Sequence, residues 1–584
     1  MNTTTLIKIF GFTFILLLLG SCSKDAPEQQ KEYVRNGNNV DVRIPANISS
    51  LNPATALDSY TLMVIRSIHQ YLATYDLETA QMVPVLLKEL ASVDTTDGRT
   101  IYQMEIKEDA NWDDGSPITA KDVETSLKML FNPKGKPSPY RSYLATIDLF
   151  EIDPDNPKKF SVGISQQYVL AEEAIYSIMP VLQASKYDPD NQYAAYSLVD
   201  LINNTAIDEA DEVLQALAAT FESEAFSVEP AGVNGSGPYE VVEWKTGELM
   251  VLAKKTDWWG ETDNPSNTWF KANPDTIRLI SVTDATTAAQ MFTNNSFDVA
   301  ITLDSKDFKT LAENPTYTDE YNFISDVTNI QYLVYQNTKS PVLQDKRVRM
   351  GISMLFDYTS IIENIFDGLG NRTNSPVLNF KSYYAEDLPL IDFDIEGAIA
   401  QFNEAGWIDN NKDGVLEKEI DGVLTDFKLE YLVTPTPAAE NIALIFQAAA
   451  KDAGVEVEII TKDRQGWYEM VGQRDFDLTM TGSGFSPGLD DFRQMFHTSA
   501  NIPTGQNRMQ FGNAETDALL DAIAANLDEI SREEQFRTFQ EILYDEQAVT
   551  WLMTPLSRVV IHDRFEHGGS NLSPNVCLGC LTLK

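Results

Sequence analysis

Helix-type and strand-type hydrophobic patterns follow one another along nearly all of this 584-residue sequence, and no long Gly/Ser linker separates them. A single hydrophobic core stops growing at about 250–300 residues, so the chain must divide into at least two lobes. With no linker to mark a division, the lobes are expected to interleave, each of mixed α/β type. Alternation predicts strands over 40–44, 100–106, 251–254, 277–282, 427–433 and 455–460. Apolar residues at helical spacing (Leu62, Ile65, Ile68, Leu72) predict a helix over 59–74, with His69 in its packing. Thr119 with Asp122 approximates a capping box opening another helix. Val213, Leu214, Leu217 and Phe221 share one face of an amphipathic helix over 208–221, and 441–453 reads as a further helix.

Composition narrows the class. A hydrophobic content of 43%, with 28 Phe, 23 Tyr and 8 Trp, excludes wholesale disorder and a polytopic membrane protein. Lys+Arg 44 against Asp+Glu 87 gives a net charge of -43, which repels nucleic acid. That charge serves solubility, or steers cations such as calcium.

The first residues speak for export. Lys8 precedes an apolar stretch over 9–19, short for a membrane span and suited to a signal peptide. Leu19-Gly20-Ser21-Cys22 resembles the bacterial lipobox, so 1–21 reads as a lipoprotein signal peptide and Cys22 as the lipidated residue. The alternative is an uncleaved N-terminal anchor. Several acyl chains on Cys22 would give stable anchoring. The polar stretch that follows makes 22–39 a tether. Cys577 and Cys580 remain, and in an exported protein a local disulfide is the leading reading. His69, His497, His562 and His567 show no close metal spacing, which argues against zinc.

The segment Trp112-Asp-Asp-Gly115-Ser-Pro-Ile-Thr-Ala120-Lys-Asp122-Val123 continues into Ser138-Pro-Tyr140-Arg-Ser-Tyr143-Leu144. Gly235-Ser-Gly237-Pro-Tyr239-Glu240, Trp258-Trp259-Gly260, Thr283-Asp284 through Phe297-Asp298-Val299, Arg347-Val348-Arg349 with Asp357 and Gly368, and Asn507-Arg508 to Leu520 come next. In that order they resemble the motifs of the extracellular solute-binding proteins of family 5, the peptide- and nickel-binding components of ABC importers. The resemblance spans roughly 40–560 and implies a two-lobed periplasmic-binding-protein type II fold, cluster C-like, with an extra N-terminal subdomain. Lobe I is then expected over 40–55, 166–270 and 499–584, its extra subdomain over 56–165, and lobe II over 271–498. Hinge crossings would fall near 270 and 498, and ligand would bind between the lobes. Tyr140 resembles an aromatic that faces ligand, with ordinary packing as the alternative. Arg347 and Arg349 are either a carboxylate clamp or structural salt bridges.

The resemblance breaks in one informative place. Amino-terminus-reading peptide binders carry a Trp, an Asp three residues on, then Pro and Phe, and the Asp holds the peptide ammonium. With Phe492 as anchor, those first two positions fall on Gly482 and Phe485, while Asp490 is displaced. Gly482, Ser483, Gly484, Phe485 and Asp490 are therefore candidate cleft residues, with the glycine-rich backbone open to close approach by ligand.

Asp409, Asn411 and Asp413 followed by Gly414 match the start of a calcium loop, with the Val415 carbonyl and a carboxylate from Glu417, Glu419 or Asp421 as further oxygens. Position twelve is Ile420 rather than the expected Glu. The loop reads either as a structural calcium site or as an Asx-rich turn. No cofactor is required otherwise.

The leading expectation is a monomeric lipoprotein, facing the periplasm or cell surface. It would capture a peptide or small molecule for ABC permease subunits, with no contact to nucleic acid and membrane contact through its lipid alone. The alternatives are a surface-displayed sensing or binding lipoprotein and, remotely, a cell-surface hydrolase. Against the last, no HExxH or Walker A pattern occurs.

Overall fold

The computed structural model describes residues 37–584, except 57, 97, 206, 262, 264–265, 567–569 and 571–572. The signal-peptide, lipobox and Cys22 expectations, and His567, lie outside the described residues.

One strand shows why the chain cannot be cut into consecutive domains. Asn39–Ile44 buries Val40, Val42 and Ile44. It pairs in parallel with Thr276–Ser281 on one side and with Val299–Ile301 on the other. The full seven-stranded order is Tyr321–Ile324, Val559–His562, Val299–Ile301, Asn39–Ile44, Thr276–Ser281, Leu249–Lys254, Tyr239–Lys245. Asp41 and Arg43 are buried too, so both faces of this central strand are covered. Arg43 satisfies its guanidinium on the carbonyls of Val282, Ile301 and Thr302 at 2.8–3.0 Å.

A second, six-stranded sheet runs Gly370–Asn371, Val549–Pro555, Ile330–Gln336, Leu478–Gly484, Lys428–Val433, Glu456–Thr461. Helices cover it, among them Lys346–Met354, Pro437–Asp452 and Glu529–Glu546. Arg349 fastens the last of these. Its guanidinium donates to the carboxylate and carbonyl of Glu546, both at 2.7 Å, and is buried. Arg347 pairs with the neighbouring Asp345. Both arginines thus make structural salt bridges.

The chain crosses between the sheets twice, after Ile324 and after Pro555. The crossings lie side by side: Val327 bridges Leu556, the Ser557 N–H donates to the Asp326 carbonyl at 2.7 Å, and the Thr328 hydroxyl donates to the Pro555 carbonyl at 2.8 Å. Two adjacent extended segments form a hinge with few dihedrals to move. This corrects the expected crossings near 270 and 498. Residues 276–324 belong to the first lobe because they supply three strands of its sheet, and 549–555 belongs to the second because it pairs with Ile330–Gln336.

The extra subdomain is a four-stranded sheet, Ser92–Thr96, Arg99–Glu105, Lys159–Ile164, Ile147–Ile152, packed on the helix Ala120–Phe131. Its core also takes Tyr168, Leu182, Tyr193, Leu214 and Phe221, so it reaches well past the expected end at 165. The helix Ser59–Ile68, expected inside it and as far as 74, packs instead under the first sheet through Val64, Ile65 and Ile68. That helix stops where the Gly237 N–H donates to the Ile68 carbonyl at 2.9 Å. A Cβ on Gly237 would stand 2.6 Å from the Ile68 carbonyl carbon, so only glycine permits the approach. At the C-terminus Cys577 and Cys580 are joined as a disulfide, and the Gly579 carbonyl accepts the Asn273 N–H at 2.9 Å, binding this end to the first lobe.

Candidate functional site

The strand Leu478–Gly484 pairs residue by residue with Ile330–Gln336, so Gly482, Ser483 and Gly484 face Tyr332, Gln331 and Ile330 across the ladder. On its other side Lys428–Val433 reaches only Leu478 and Thr479, which leaves the opposite backbone edge of 481–484 without a strand partner among the described residues. Gly482 and Gly484 are exposed. A Cβ at Gly484 would meet nothing within 4 Å, whereas at Gly482 it would lie 3.1 Å from the Tyr332 ring. Ser483 Oγ is 3.4 Å from the Tyr335 hydroxyl. Phe485 turns inward and packs with Trp551 in the second lobe's core, so its side chain is scaffold, contrary to its place among the cleft candidates.

Asp490 is buried, and so is its partner. Lys381 Nζ lies 2.6 Å from Asp490 Oδ2, and the side chains are 4% and 3% exposed. The Tyr383 hydroxyl donates to the same oxygen at 3.0 Å. Burial pushes the Asp490 carboxyl up and the Lys381 ammonium down, and each draws the other back toward its charged form. Next door, Arg493 grips Asp491 with contacts of 2.7–3.3 Å. Burial opposes the charge on Arg493, but Asp491 outweighs it and raises the guanidinium pKa.

These second-lobe groups meet the extra subdomain. The Tyr168 hydroxyl donates to Asp491 Oδ2 at 2.8 Å, and its ring lies 4.8 Å under the Arg493 guanidinium. The Tyr75 hydroxyl donates to Glu173 at 2.7 Å and stands where a Cβ on Gly488 would fall, 1.9 Å away. Burial raises the Glu173 carboxyl, while Tyr75 and Lys381 counter it. The Val169 N–H donates to the carbonyl of Ala524 at 2.7 Å. The result is a seam with three carboxylates (Glu173, Asp490, Asp491), two cations (Lys381, Arg493) and a rim of tyrosines.

Tyr140 is not brought into this seam by any contact. Its hydroxyl donates to the Ala56 carbonyl, which makes it a stitch within the first lobe. Tyr143, three residues on, is the tyrosine that feels Asp491, Glu173, Arg493 and Asp490. Lys381, Tyr383, Glu173, Tyr168 and Tyr75 carried no signal in the sequence, because each acquires its role from a partner about a hundred residues or more away. A cavity of about 1250 Å³ opens elsewhere on the second lobe, lined by residues 428–430, 454–458 and 474–477, and includes none of the seam residues.

In the loop 409–417, Asp409 accepts the N–H groups of Lys412 and Gly414, Asn411 that of Asp413, and Asp413 that of Val415, at 2.7–3.1 Å. Among the described residues no group of three or more His, Cys, Asp or Glu is arranged to hold a metal ion.

A two-lobed α/β molecule with a double-crossing hinge and a polar seam has close counterparts. Residues 81–503 match the model for the bacterial extracellular solute-binding proteins, family 5, middle region. The chain belongs to this family. Family 5 proteins bind solutes rather than catalyse reactions, which sets aside the hydrolase reading. The chain is 25% identical over 523 residues to the oligopeptide-binding protein AppA of Bacillus subtilis, covering 85% of this chain and 83% of that one. The AppA structure in complex with a nonapeptide superposes with a TM-score of 0.74 at 20% identity, over 94% of this chain and 99% of that one. NikZ of Campylobacter jejuni in complex with Ni(L-His) gives a TM-score of 0.71 at 20% identity, over 92% and 97%. Family 5 thus accounts for the two-lobed fold and for solute binding in transport. Among the described residues no helix is long and apolar enough to cross a membrane.

Proposed function

We propose that the chain is the substrate-binding component of an ABC importer, held to the membrane by lipid on Cys22, which closes on an oligopeptide or similar small solute and acts as a monomer. The observation that carries this reading is the seam itself: the Tyr168 hydroxyl on Asp491 joins the two lobes at 2.8 Å, in a molecule whose lobes are linked by two paired crossings. Contacts available only in the closed form are what allow a ligand to shift the equilibrium toward closure.

The seam also narrows the ligand. Asp490 already holds the chain's own ammonium, Lys381, so a ligand's amino terminus is not needed to neutralise it. The open backbone edge of 481–484 offers N–H and C=O groups to an extended ligand. Recognition through the ligand's backbone, rather than through its amino terminus, is the reading these features support.

Native against denaturing mass spectrometry of the purified protein tests it. A retained peptide or small solute, released on denaturation and identified by fragmentation, is the expected result. Absence of any retained mass, together with no melting shift across peptide and small-solute panels, would refute it.

A further inference from the structure

We infer that the ligand presents a carboxylate to Arg558, in a corner beside the two crossings walled by Tyr60 of the first lobe and Tyr332 of the second. The inference rests on the ligand-closing function proposed above and names the ligand as an acidic solute. Asn39–Ile44, Thr276–Ser281 and Val299–Ile301 run parallel, and the Arg43 guanidinium sits on the carbonyls at their ends, those of Val282, Ile301 and Thr302. The carboxyl ends of parallel strands are where open α/β sheets bind ligands. Arg558 enters the same corner from the second crossing, one residue after Ser557, and its Nε donates to the Leu303 carbonyl at 2.6 Å. Its Nη1 is buried and meets no acceptor.

Nothing in the corner neutralises these cations. Burial lowers the Arg43 guanidinium to about 10, and the ionisable groups that also act on it are Tyr60, which raises it, and Arg558, which lowers it further. Burial raises the Tyr60 hydroxyl, and the groups acting on it are Thr302, Arg43, Tyr332 and Arg558. No carboxylate is in either set. In a chain of net charge -43, two neighbouring guanidiniums without a carboxylate leave room for an anion from outside. A buried N–H with no acceptor is costly, and a carboxylate answers that cost with an acceptor, a charge and a shape that fits the planar guanidinium. The corner also adjoins the open backbone edge. Tyr332 stacks on Phe366 at 5.3 Å between ring centroids, and a Cβ on Gly482 would lie 3.1 Å from its ring. The Tyr60 hydroxyl is held in place by donating to Thr302 Oγ1 at 3.0 Å. A solute paired with 481–484 of the second lobe and anchored by its carboxylate on Arg558 of the first would bridge the lobes, and such bridging favours closure.

Titration calorimetry on the full chain tests this with two probes that lack an amino terminus: acetyl-tetraalanine as the free acid, and the same peptide as its amide. The acid should bind about tenfold more tightly than the amide, as charge-assisted hydrogen bonds to a guanidinium require. Arg558→Gln should bind the two alike. Should that variant not fold, Arg558→Lys keeps the charge but loses the fork, and should lower the preference about threefold. Equal binding of acid and amide by wild type overturns the inference while leaving the importer function standing, and so does a preference that survives Arg558→Gln. If neither probe binds, peptide capture fails, and the melting midpoint in sodium acetate against sodium chloride at equal ionic strength decides the carboxylate site. A rise in acetate that wild type shows and the variant loses supports it; the same response in both overturns it.

Discussion

At the scale of single residues, the buried pair Lys381–Asp490 and the buried His69 carry testable energies. Removing one member of a buried ion pair leaves the other charged and unpaired, a loss of about 3–5 kcal/mol. Lys381→Met should therefore destabilise the protein by that amount in urea unfolding, and Lys381→Met/Asp490→Asn should recover most of it. A single-variant loss below about 1 kcal/mol would show that the pair is not buried as described. His69 is held neutral: burial first, then Lys186 and Lys255, lower its pKa to about 3 from a usual 6.5. Below pH 6.5 the unfolded chain takes up a proton that the folded chain refuses. Stability should thus fall by about 1.4 kcal/mol per pH unit from this group as pH drops from 6.5 toward 3. His69→Gln should flatten that slope by the same amount, and an unchanged slope would contradict the assignment.

At the scale of elements, local signals were legible where the partner lies close in sequence. The Asp122 carboxylate accepts the Thr119 N–H at 2.8 Å and so caps the helix Ala120–Phe131, as the spacing of the two residues predicted. It also accepts the Ala184 N–H at 2.9 Å, which no local pattern announces. Asp122→Ala should cost about 2 kcal/mol, since it loses a cap and strands a second buried donor. A cost near that of a simple cap, about 1 kcal/mol, would show that the Ala184 bond contributes little. The helix 59–74 shows the reverse case. Its apolar spacing continues through Leu72, but the close approach of Gly237 ends the helix at Ile68, and Leu72 goes to the subdomain core instead.

At the scale of the molecule, the proposed function makes closing of the seam the step that captures ligand. Gly488 lies against Tyr75, and a methyl group there would collide with the Tyr75 hydroxyl and crowd Glu173 at 3.4 Å. Gly488→Ala should disfavour the closed form and weaken ligand binding about tenfold, equivalent to ~1.4 kcal/mol. The ligand-free melting curve should not move, because each lobe keeps its own core. Unchanged affinity in isothermal titration would mean that the seam is not part of closure.

The sequence by itself determined that the chain has more than one lobe, that α and β elements interleave, and that its motifs belong to family 5. Those properties rest on chain length, on periodicity and on residues that act within a few positions of each other. Only the tertiary structure decided that Thr276–Ser281 joins the first sheet and Val549–Pro555 the second. Periodicity reports that one face of a strand is buried, not which sheet buries it. Likewise Asp490 could be read as a free carboxylate until Lys381 was found beside it, 109 residues earlier in the chain. The charge state and partners of a buried group depend on what folding brings within a few ångströms, and no local pattern encodes that.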